Sequence, residues 1–296
     1  MTEHKFGGGW TEIKLSRLQK YLKAYRQIFT QNERAGYFKT WYVDAFAGTG
    51  SRVPTATALE SVLFQDVYED EETTQYRDGS ATIALSLPEP FDNYLFIEKS
   101  KGRVGALQQT IEREHSALQP RCDFRQGDAN EVLKAWCKER DWQKERAVVF
   151  LDPYGMQVEW STVEALAATK AIDLWYLFPL GVGVARLLTY SGNIDEAWKN
   201  RLDLLFGTAE WRTEFYRITV ARDLFGEDYE TVQRDASAAK IEAFIHARLA
   251  QIFEKAAKGL VLRNSRSSPL YLLCFAAANK KGAPTAIRIA QDILDD

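Results

Sequence analysis

Four acidic residues in this sequence stand where they could hold the polar groups of a nucleotide-like ligand. Asp44, Glu98 and Asp152 each close or directly follow a short apolar, β-prone run, and Asp128 comes in the turn after the predicted strand 122–126. Ionised carboxylates accept hydrogen bonds from ammonium groups, ribose diols and amines, and these bonds strengthen in a desolvated crevice. The pattern therefore predicts a ligand crevice lined by acids.

A glycine-containing turn follows the first of these acids, in Asp44-Ala-Phe-Ala-Gly-Thr-Gly50. Glycine lets the backbone turn sharply and lets a ligand approach with no Cβ in the way. Residues 51–78 have no sustained periodicity, so we expect an inserted loop, acting as an acidic flap beside the ligand. Removing these 28 residues from the 48-residue separation of Gly50 and Glu98 leaves 20. About this spacing joins the glycine turn to a ribose-binding acid in nucleotide-binding α/β folds.

The elements that must position the acids alternate between strands and helices, which predicts an α/β fold with a parallel sheet and right-handed crossovers. In such a sheet the ligand crevice lies at the carboxyl ends of the strands. The predicted strands are 40–43, 94–97, 122–126, 147–151 and 172–180, followed by a closing hairpin of 260–263 and 270–276. The predicted helices are 11–30, 80–87, 101–118, 129–140 and 158–169, then a helix from Ser237 that stops at Gly259, and a terminal helix opened by Pro284.

The segment of about 181–235 is additional material, rich in Trp and Phe with basic residues between them. Interleaved aromatic and basic side chains can stack on bases and hold phosphates. An aromatic stripe at helical spacing is equally typical of a hydrophobic core, and both interpretations remain open. We expect this helical insertion to recognise a substrate or partner.

Composition predicts one elaborated domain, residues 1–296, with a sizeable core, since 46% of the residues are hydrophobic. No run reaches the roughly 18 to 20 apolar residues that a membrane span requires, and the N-terminus lacks the apolar core of a signal peptide. We therefore expect a soluble, cytoplasmic protein with no membrane partner. The three cysteines and three histidines are scattered, so neither a disulfide framework nor a metal site is expected.

Charge is distributed unevenly although the net charge is only -3. Residues 1–40 carry eight Lys or Arg against three Glu, whereas residues 51–79 carry seven acids against two arginines. Residues 255–288 contain seven basic residues and no acid. Separate solvated faces would explain such runs, but two basic ends that met in space would form a local phosphate-binding surface.

The glycine turn lacks a glycine that a dinucleotide-binding site requires, and this absence bears on the cofactor. A dinucleotide fingerprint needs a third glycine that opens the helix directly, whereas here Gly50 is followed by a long loop. The turn, the four acids and Leu151-Asp-Pro-Tyr-Gly155 resemble the motifs of class I S-adenosylmethionine-dependent methyltransferases. That resemblance implies a Rossmann-like, seven-stranded, mostly parallel sheet with an antiparallel last strand.

More narrowly, the chain resembles the three-Cys-motif partner (TcmP) proteins, a bacterial and phage-associated methyltransferase-like family. The resemblance covers most of the chain and implies a possible three-Cys-motif protein partner. It is carried by Trp10-Thr-x-x-Lys14, the Asp-x-Phe-Ala-Gly turn, Gly79-Ser80, Phe150-Leu-Asp-Pro-Tyr-Gly155 and Phe178-Pro-Leu-Gly181.

The resemblance implies a role for each matching position toward S-adenosyl-L-methionine. The backbone of 47–50 would pass under the methionine moiety, and Asp44 would hold its ammonium directly or through water. Glu98 would accept the ribose hydroxyls, and Asp128 would meet the adenine amine. The other positions that the resemblance places at the cofactor are Trp10, Lys14, Phe46, Ala47, Gly48, Gly50 and Ala129.

Asp152, Pro153 and Tyr154 form the predicted catalytic corner, which lacks the second proline of the acid-Pro-Pro-aromatic corner in methyltransferases acting on base amines. It looks closer to the Asp-Pro-Phe-Gly of tRNA guanine-N2 dimethyltransferases. Asp152 would orient an exocyclic amine of a base in tRNA, rRNA or DNA, the Pro153 carbonyl would accept a second hydrogen bond, and Tyr154 would pack against the base or cofactor.

The alternatives to this function are a non-catalytic cofactor-binding subunit, a methyltransferase of a small molecule or protein, and a nicotinamide-dependent oxidoreductase.

Overall fold

A computed structural model of the protein describes residues 9–48, 79–222 and 228–296. Gly50 and the predicted loop 51–78 lie outside these ranges. The described helices are α1 (Gly9–Gln31), α2 (Glu33–Gly36), α3 (Gly79–Leu85), α4 (Lys101–Glu114), α5 (Ala129–Glu139), α6 (Trp160–Ala168), α7 (Glu196–Phe206), α8 (Trp211–Glu214), α9 (Ala238–Ile252) and α10 (Ala283–Asp295). No helix in these ranges is both long enough and apolar enough to cross a membrane.

The strands follow the helices in the alternation that the sequence predicts. They are β1 (Lys39–Asp44), β2 (Asn93–Glu98), β3 (Cys122–Gln126), β4 (Glu145–Leu151), β5 (Ile172–Phe178), β6 (Tyr216–Arg222), β7 (Asp228–Arg234), β8 (Lys255–Ala256), β9 (Leu260–Arg263) and β10 (Pro269–Ala277). A 3-10 helix, Ser116–Arg121, precedes β3, and a π-helical turn, Leu180–Ala185, follows β5.

The central sheet has the order β3-β2-β1-β4-β5-β10. Strands β1 to β5 are parallel, whereas β10 runs antiparallel to β5, with Leu272 opposite Phe178 and Ala277 opposite Asp173. Both β8 and β9 pair with the outer edge of β10, so these two short strands together occupy the place of a seventh strand in the sheet. The predicted fold class, a mostly parallel α/β sheet with an antiparallel last strand, is confirmed. The strand order reverses between β1 and β4, which places the ligand crevice at their carboxyl ends.

Alternating side chains of the buried strands build a hydrophobic core on each face of the sheet. Trp41 and Val43 of β1 face the core formed with α5, α6 and α9. Tyr42, between them, faces the core formed with α1, α3 and α10. Helix α1 thus lies across the sheet on the Tyr42 face, and this packing holds its first turns near the ends of β4 and β10.

Several predicted helix boundaries differ from the structure. Helix α1 begins at Gly9, so Thr11 lies in its first turn. Helix α3 begins at Gly79, as the Gly79-Ser80 start predicts, but it ends at Leu85, and the Ser80 hydroxyl donates a hydrogen bond to a distant carboxylate. Helix α4 ends at Glu114, four residues before the predicted end at 118. Helix α9 is capped by Ser237 as predicted but ends at Ile252 rather than at Gly259. Its early end allows Lys255–Ala256 to pair with the open edge of β10, which satisfies their backbone groups.

The insertion of about 181–235 contains more than the predicted helices. Its helices α7 and α8 pack their aromatic side chains into the core, where Phe206 and Trp211 are buried. They are followed by a two-stranded ribbon of β6 and β7, separate from the central sheet. The core interpretation therefore holds for Phe206 and Trp211, whereas Ile218 and Val220 of the ribbon are exposed.

Candidate active site

The four predicted acids lie at one edge of the sheet. Asp44 and Glu98 are the last residues of β1 and β2. Asp128 lies two residues after the end of β3, and Asp152 lies one residue after the end of β4. These strands are parallel neighbours in the order β3-β2-β1-β4. Their carboxyl ends, and the acids with them, therefore line a common edge at the point where the strand order reverses.

The turn after β1 is held by backbone hydrogen bonds to both neighbouring strands. The Ala45 amide donates to the Phe150 carbonyl at 3.1 Å, and the Ala47 amide donates to the Ile97 carbonyl at 3.0 Å. Gly48 has a φ of +31°, a conformation that favours glycine. The turn is thus fixed directly over the ends of β2 and β4, where a ligand in the crevice would contact its backbone.

Asp44 is buried beneath this turn, and both of its carboxylate oxygens are engaged. Oδ1 accepts a hydrogen bond from the Phe46 amide at 3.2 Å, and Oδ2 accepts one from the Ser80 hydroxyl at 2.6 Å and another from the Tyr42 hydroxyl at 3.4 Å. Burial raises the pKa of Asp44 to about 6, the Ser80 hydrogen bond opposes the rise, and the charge of Asp152 adds to it. The carboxylate is therefore predominantly ionised at neutral pH and presents negative charge to the crevice.

Lys14 forms an ion pair with Asp152 across the crevice. Its Nζ lies 2.6 Å from Asp152 Oδ2, 5.5 Å from the ring centroid of Trp10 and 6.0 Å from that of Phe150. The Lys14 side chain is almost wholly buried, whereas Asp152 keeps 21% of its side-chain surface exposed. Lys14 of the Trp10-Thr-x-x-Lys14 motif therefore orients the carboxylate of the predicted catalytic acid, and Trp10 lies beside Lys14.

The corner after β4 turns sharply at Gly155, which has a φ of +59°. Pro153 is buried and Tyr154 is partly buried. The buried Met156 side chain packs against Gly183 of the π-helical turn, where an added Cβ would meet its Cγ at 3.0 Å. This packing fixes the corner to the segment that follows β5, and Asp152 and Tyr154 remain partly accessible.

Glu98 closes β2 as a largely buried carboxylate. Its Oε1 accepts a hydrogen bond from the Ser100 amide at 2.8 Å and lies 3.4 Å from Arg103 Nε. Arg103 belongs to the first turn of α4. The Ser100 amide and the Arg103 side chain orient the Glu98 carboxylate at the sheet edge, where Glu98 was predicted to bind a ribose.

Asp128 caps α5, because its Oδ1 accepts hydrogen bonds from the backbone amide and the side-chain amide of Asn130. Asn130 is buried and extends this network to the loop after β4, donating to the Gln157 carbonyl and accepting from the Glu159 amide. Ala129, the first residue of α5, is buried beside it. Capping is thus one role of Asp128, and it also holds the α5 terminus against the corner that carries Asp152.

Three of the four acids share one pattern of contacts. Among the described residues, Glu98, Asp128 and Asp152 each make their polar contacts through one carboxylate oxygen, Oε1, Oδ1 and Oδ2 respectively. Within residues 9–48, 79–222 and 228–296, the other oxygen of each makes no polar contact and could accept from a ligand. Asp44 differs because both of its oxygens are engaged and it is fully buried. These acceptor groups suit a ligand that donates from a diol, an aromatic amine and a second amine, and Asp44 would act on it through its charge.

Sequence reasoning missed three residues of the site. Ser80, Arg103 and Asn130 hold Asp44, Glu98 and Asp128 respectively. Arg103 and Asn130 follow their acids by five and two residues, a local spacing that could have indicated them. Ser80 is 36 residues from Asp44, and only the packing of α3 against β1 brings them together.

No group of three or more His, Cys, Asp or Glu side chains that could hold a metal ion occurs in residues 9–48, 79–222 and 228–296. The three cysteines are free thiols, and burial raises the pKa values of Cys122 and Cys137 to about 12. The charged groups of the site that the structure describes are therefore the four carboxylates, Lys14 and Arg103.

No protein-family model matches the sequence, and no curated protein does. Among solved structures, a DUF519-family protein from Legionella pneumophila is similar over 98% of this chain and 92% of its own, with 11% identity and a TM-score of 0.43. A glycopeptide N-methyltransferase, MtfA, solved with sinefungin, is similar over 86% and 93%, with 11% identity and a TM-score of 0.36.

A Listeria monocytogenes protein described as a candidate S-adenosylmethionine-dependent methyltransferase is similar over 86% of this chain and 97% of its own, with 11% identity and a TM-score of 0.34. The neighbours therefore include S-adenosylmethionine-dependent methyltransferases. At these identities and TM-scores they say nothing of this chain's substrate, and the strand order of the central sheet defines its fold class.

Proposed function

We propose that this protein is an S-adenosylmethionine-dependent methyltransferase that modifies an exocyclic amine of a nucleic-acid base. One observation carries the proposal: Asp152 stands at the switch point of the sheet with one oxygen held by Lys14 and the other unengaged among the described residues. A carboxylate fixed in this way can accept a hydrogen bond from an amine beside a bound cofactor.

The crevice offers a matching set of groups for S-adenosylmethionine. Glu98 Oε2 would accept from the ribose hydroxyls, and Asp128 Oδ2 from the adenine amine. The negative charge of Asp44 and the backbone of Ala47 and Gly48 would hold the methionine end. The predicted positions Phe46 and Ala129 border these groups, and Trp10 and Lys14 close the crevice from α1. Bound there, the cofactor supplies an electrophilic methyl group on a sulfonium.

In the proposed reaction, residues of this chain position the amine and accept its proton. A new bond forms between the amine nitrogen and the methyl carbon as the carbon–sulfur bond breaks, and the nitrogen then loses a proton. Asp152 orients the amine and accepts that proton, while the Pro153 carbonyl accepts a second hydrogen bond and Tyr154 packs against the base. A target base inside a duplex would first have to be flipped out.

A second function is favoured by the same ion pair. Lys14 occupies one oxygen of Asp152 at 2.6 Å, and the corner lacks the second proline of base-amine methyltransferases. Both features suit a non-catalytic cofactor-binding subunit that acts with a protein partner, as the resemblance to three-Cys-motif partner proteins implies. Methylation of a small molecule or protein is a further alternative, and the absence of a third glycine weighs against a nicotinamide-dependent oxidoreductase.

Transfer of labelled methyl groups to tRNA, rRNA and DNA tests the proposal. We expect one of the three to be labelled by the wild-type protein and Asp152→Asn to lower the rate by a factor of about 10² to 10⁴, the usual contribution of a positioned acid–base group. Asp292→Asn, at an exposed position of α10, is the matched control and should retain the wild-type rate. Equal labelling by the Asp152 variant would remove this residue from the mechanism, and cofactor binding without labelling would favour the non-catalytic function.

A further inference from the structure

The fold divides the basic segment 255–288 between the two ends of the sheet. Arg263 lies opposite Pro269, at the end of β10 that adjoins Phe178 and the carboxyl ends of the parallel strands. Lys255 lies opposite Ala277, at the other end. Lys280 and Lys281 follow there, because the neighbouring Asn279 side chain donates to the Lys170 carbonyl just before β5. Arg263 and the β9–β10 turn that follows it therefore lie at the crevice end of the sheet, whereas Lys255, Lys280 and Lys281 lie at the other end.

The β9–β10 turn, residues 264–268, has a defined conformation. Asn264 Oδ1 accepts hydrogen bonds from the Arg266 and Ser268 amides at 3.0 and 2.9 Å, and the Ser267 amide donates to the Asn264 carbonyl. Ser267 has a φ of +60°. Arg263 Nη1 donates to the Ser267 carbonyl at 2.9 Å, which ties the arginine to the turn. The turn thus presents two arginines from a compact, internally bonded backbone.

The turn is anchored to the segment after β5. A Cβ added to Gly181 would stand 1.8 Å from the Pro269 carbonyl oxygen, so only glycine permits this approach. Gly181 belongs to the π-helical turn whose Gly183 packs against Met156 of the Asp152 corner. The arginine turn and the catalytic corner therefore contact the same short segment.

A second chain of contacts joins the turn to the catalytic acid through α1. Tyr271, two residues past Pro269, packs against Trp10 with ring centroids 5.0 Å apart and a tilt of 30° between the rings. The Trp10 ring lies 5.5 Å from Lys14 Nζ, and Lys14 pairs with Asp152. The Asp152 crevice is thus bordered by elements that also carry the β9–β10 turn.

The side chains of Arg263 and Arg266 are exposed, as are Ser265, Ser267 and Ser268. In the part of the chain that the structure describes, neither arginine forms an ion pair, and no acid occurs anywhere in residues 255–288. Arginine presents a planar fork of donors that matches the oxygens of a phosphate, and hydroxyl groups add further donors. The surface is therefore suited to phosphodiester groups, and it adjoins the crevice where a base would enter.

We propose that Arg263 and Arg266, with the serines of the β9–β10 turn, bind the phosphodiester backbone of a nucleic acid whose target base enters at Asp152. This inference rests on the proposed function and names the surface by which the substrate class would be recognised. The contacts position a backbone and do not specify a sequence. RNA and DNA share this chemistry, so the test includes both.

Fluorescence anisotropy with fluorescein-labelled 20-nucleotide RNA and DNA hairpins tests the proposal on the full chain. We expect R263E/R266E to weaken binding of the preferred hairpin by at least about tenfold, and its salt dependence to flatten by a slope of about 2, one for each lost phosphate contact. K280E/K281E makes the same charge change at the opposite end of the sheet and should bind within about threefold of wild type. R263Q/R266Q should show a smaller loss in the same direction.

Equal weakening by R263E/R266E and K280E/K281E would overturn the proposal, since it would reduce the effect to net charge. Binding of neither hairpin by the wild-type protein would also overturn it. Competition by polyglutamate as effective as unlabelled RNA would show an acidic-peptide surface instead. Calorimetry with S-adenosylmethionine separates the two proposals: unchanged heat for R263E/R266E shows an intact fold and crevice, while absent heat for the wild-type protein counts against the proposed function alone.

Discussion

Two buried aspartates at opposite ends of the sheet show how the crevice differs from a structural network. Asp44 closes β1 at the carboxyl end, while Asp173 lies near the start of β5 and accepts a hydrogen bond from the Tyr21 hydroxyl at 2.7 Å. Burial raises the pKa of Asp44 to about 6 and that of Asp173 to about 7. Yet Asp44 is fully buried, and Asp173 keeps some contact with solvent.

Burial raises the pKa of both acids, and different partners oppose the rise at each one. Asp44 accepts hydrogen bonds from Ser80 and the Phe46 amide, and the charge of Lys14 partly offsets that of Asp152. Asp173 has the Tyr21 hydrogen bond and the charge of Arg146 against the effect of burial. The crevice end therefore surrounds its carboxylate with a serine hydroxyl, a backbone amide and the charge of a lysine, whereas the opposite end has one tyrosine hydroxyl and the charge of an arginine.

Asp173→Asn should change the pH dependence of stability. The folded pKa of Asp173 is raised from 3.8 to about 7, so this acid stabilises the fold below pH 4, and that stabilisation is lost as pH rises toward 7. Asparagine still accepts from Tyr21 but does not titrate. We expect the unfolding free energy of the variant relative to wild type to increase by about 2 kcal/mol from pH 5 to pH 8, discounted for solvent contact.

Urea unfolding at both pH values measures this difference, with Asp292→Asn as the exposed control. An identical pH profile for wild type and Asp173→Asn would show that Asp173 does not titrate in this range. Cofactor affinity should be unchanged in the variant, because Asp173 lies at the end of the sheet away from the crevice.

Asp44→Asn should weaken S-adenosylmethionine binding by about 10- to 100-fold, which corresponds to the roughly 1.5 to 3 kcal/mol of an interaction with a charged group. The variant removes the negative charge beneath the glycine turn and leaves the shape nearly the same. Calorimetric titration at pH 8 measures the loss, and Asp173→Asn is the matched control for a buried aspartate. Equal affinity of the two variants would contradict the role given to Asp44.

Ser80→Ala should have the smallest effect. The Ser80 hydroxyl lowers the pKa of Asp44, so its removal raises that pKa above 6. A larger fraction of Asp44 is then protonated at neutral pH, and we expect the cofactor affinity to fall a few-fold at pH 7 and to recover at pH 8.5. Affinity measured across pH 5.5 to 8.5 tests this, and a pH-independent loss would mean that Ser80 acts by packing alone.

The sequence predicted the parts of the site that local patterns determine. Asp44, Glu98 and Asp152 follow apolar runs and Asp128 follows a more polar strand, and parallel pairing brings the four acids to one edge. Contacts that depend on tertiary packing could not be predicted, because nothing local joins Ser80 to Asp44 or Lys14 to Asp152, which are 36 and 138 residues apart.

Dependence on tertiary packing also explains the errors in the predicted secondary structure. The end of α9 at Ile252 is decided by the open edge of β10, which is distant in sequence. The β6–β7 ribbon was missed because its exposed strands bury too little to stand out from the aromatic segment around them. Predictions for Gly50 and for the loop 51–78 lie outside the described residues.

Calorimetric titration of the wild-type protein with S-adenosylmethionine and with NAD tests the central claim most directly, since the crevice is assigned to the first cofactor. At pH 8, where Asp44 is ionised, we predict saturable heat with one equivalent of S-adenosylmethionine and none with NAD. Absence of heat with S-adenosylmethionine, or saturable heat with NAD alone, would contradict the account.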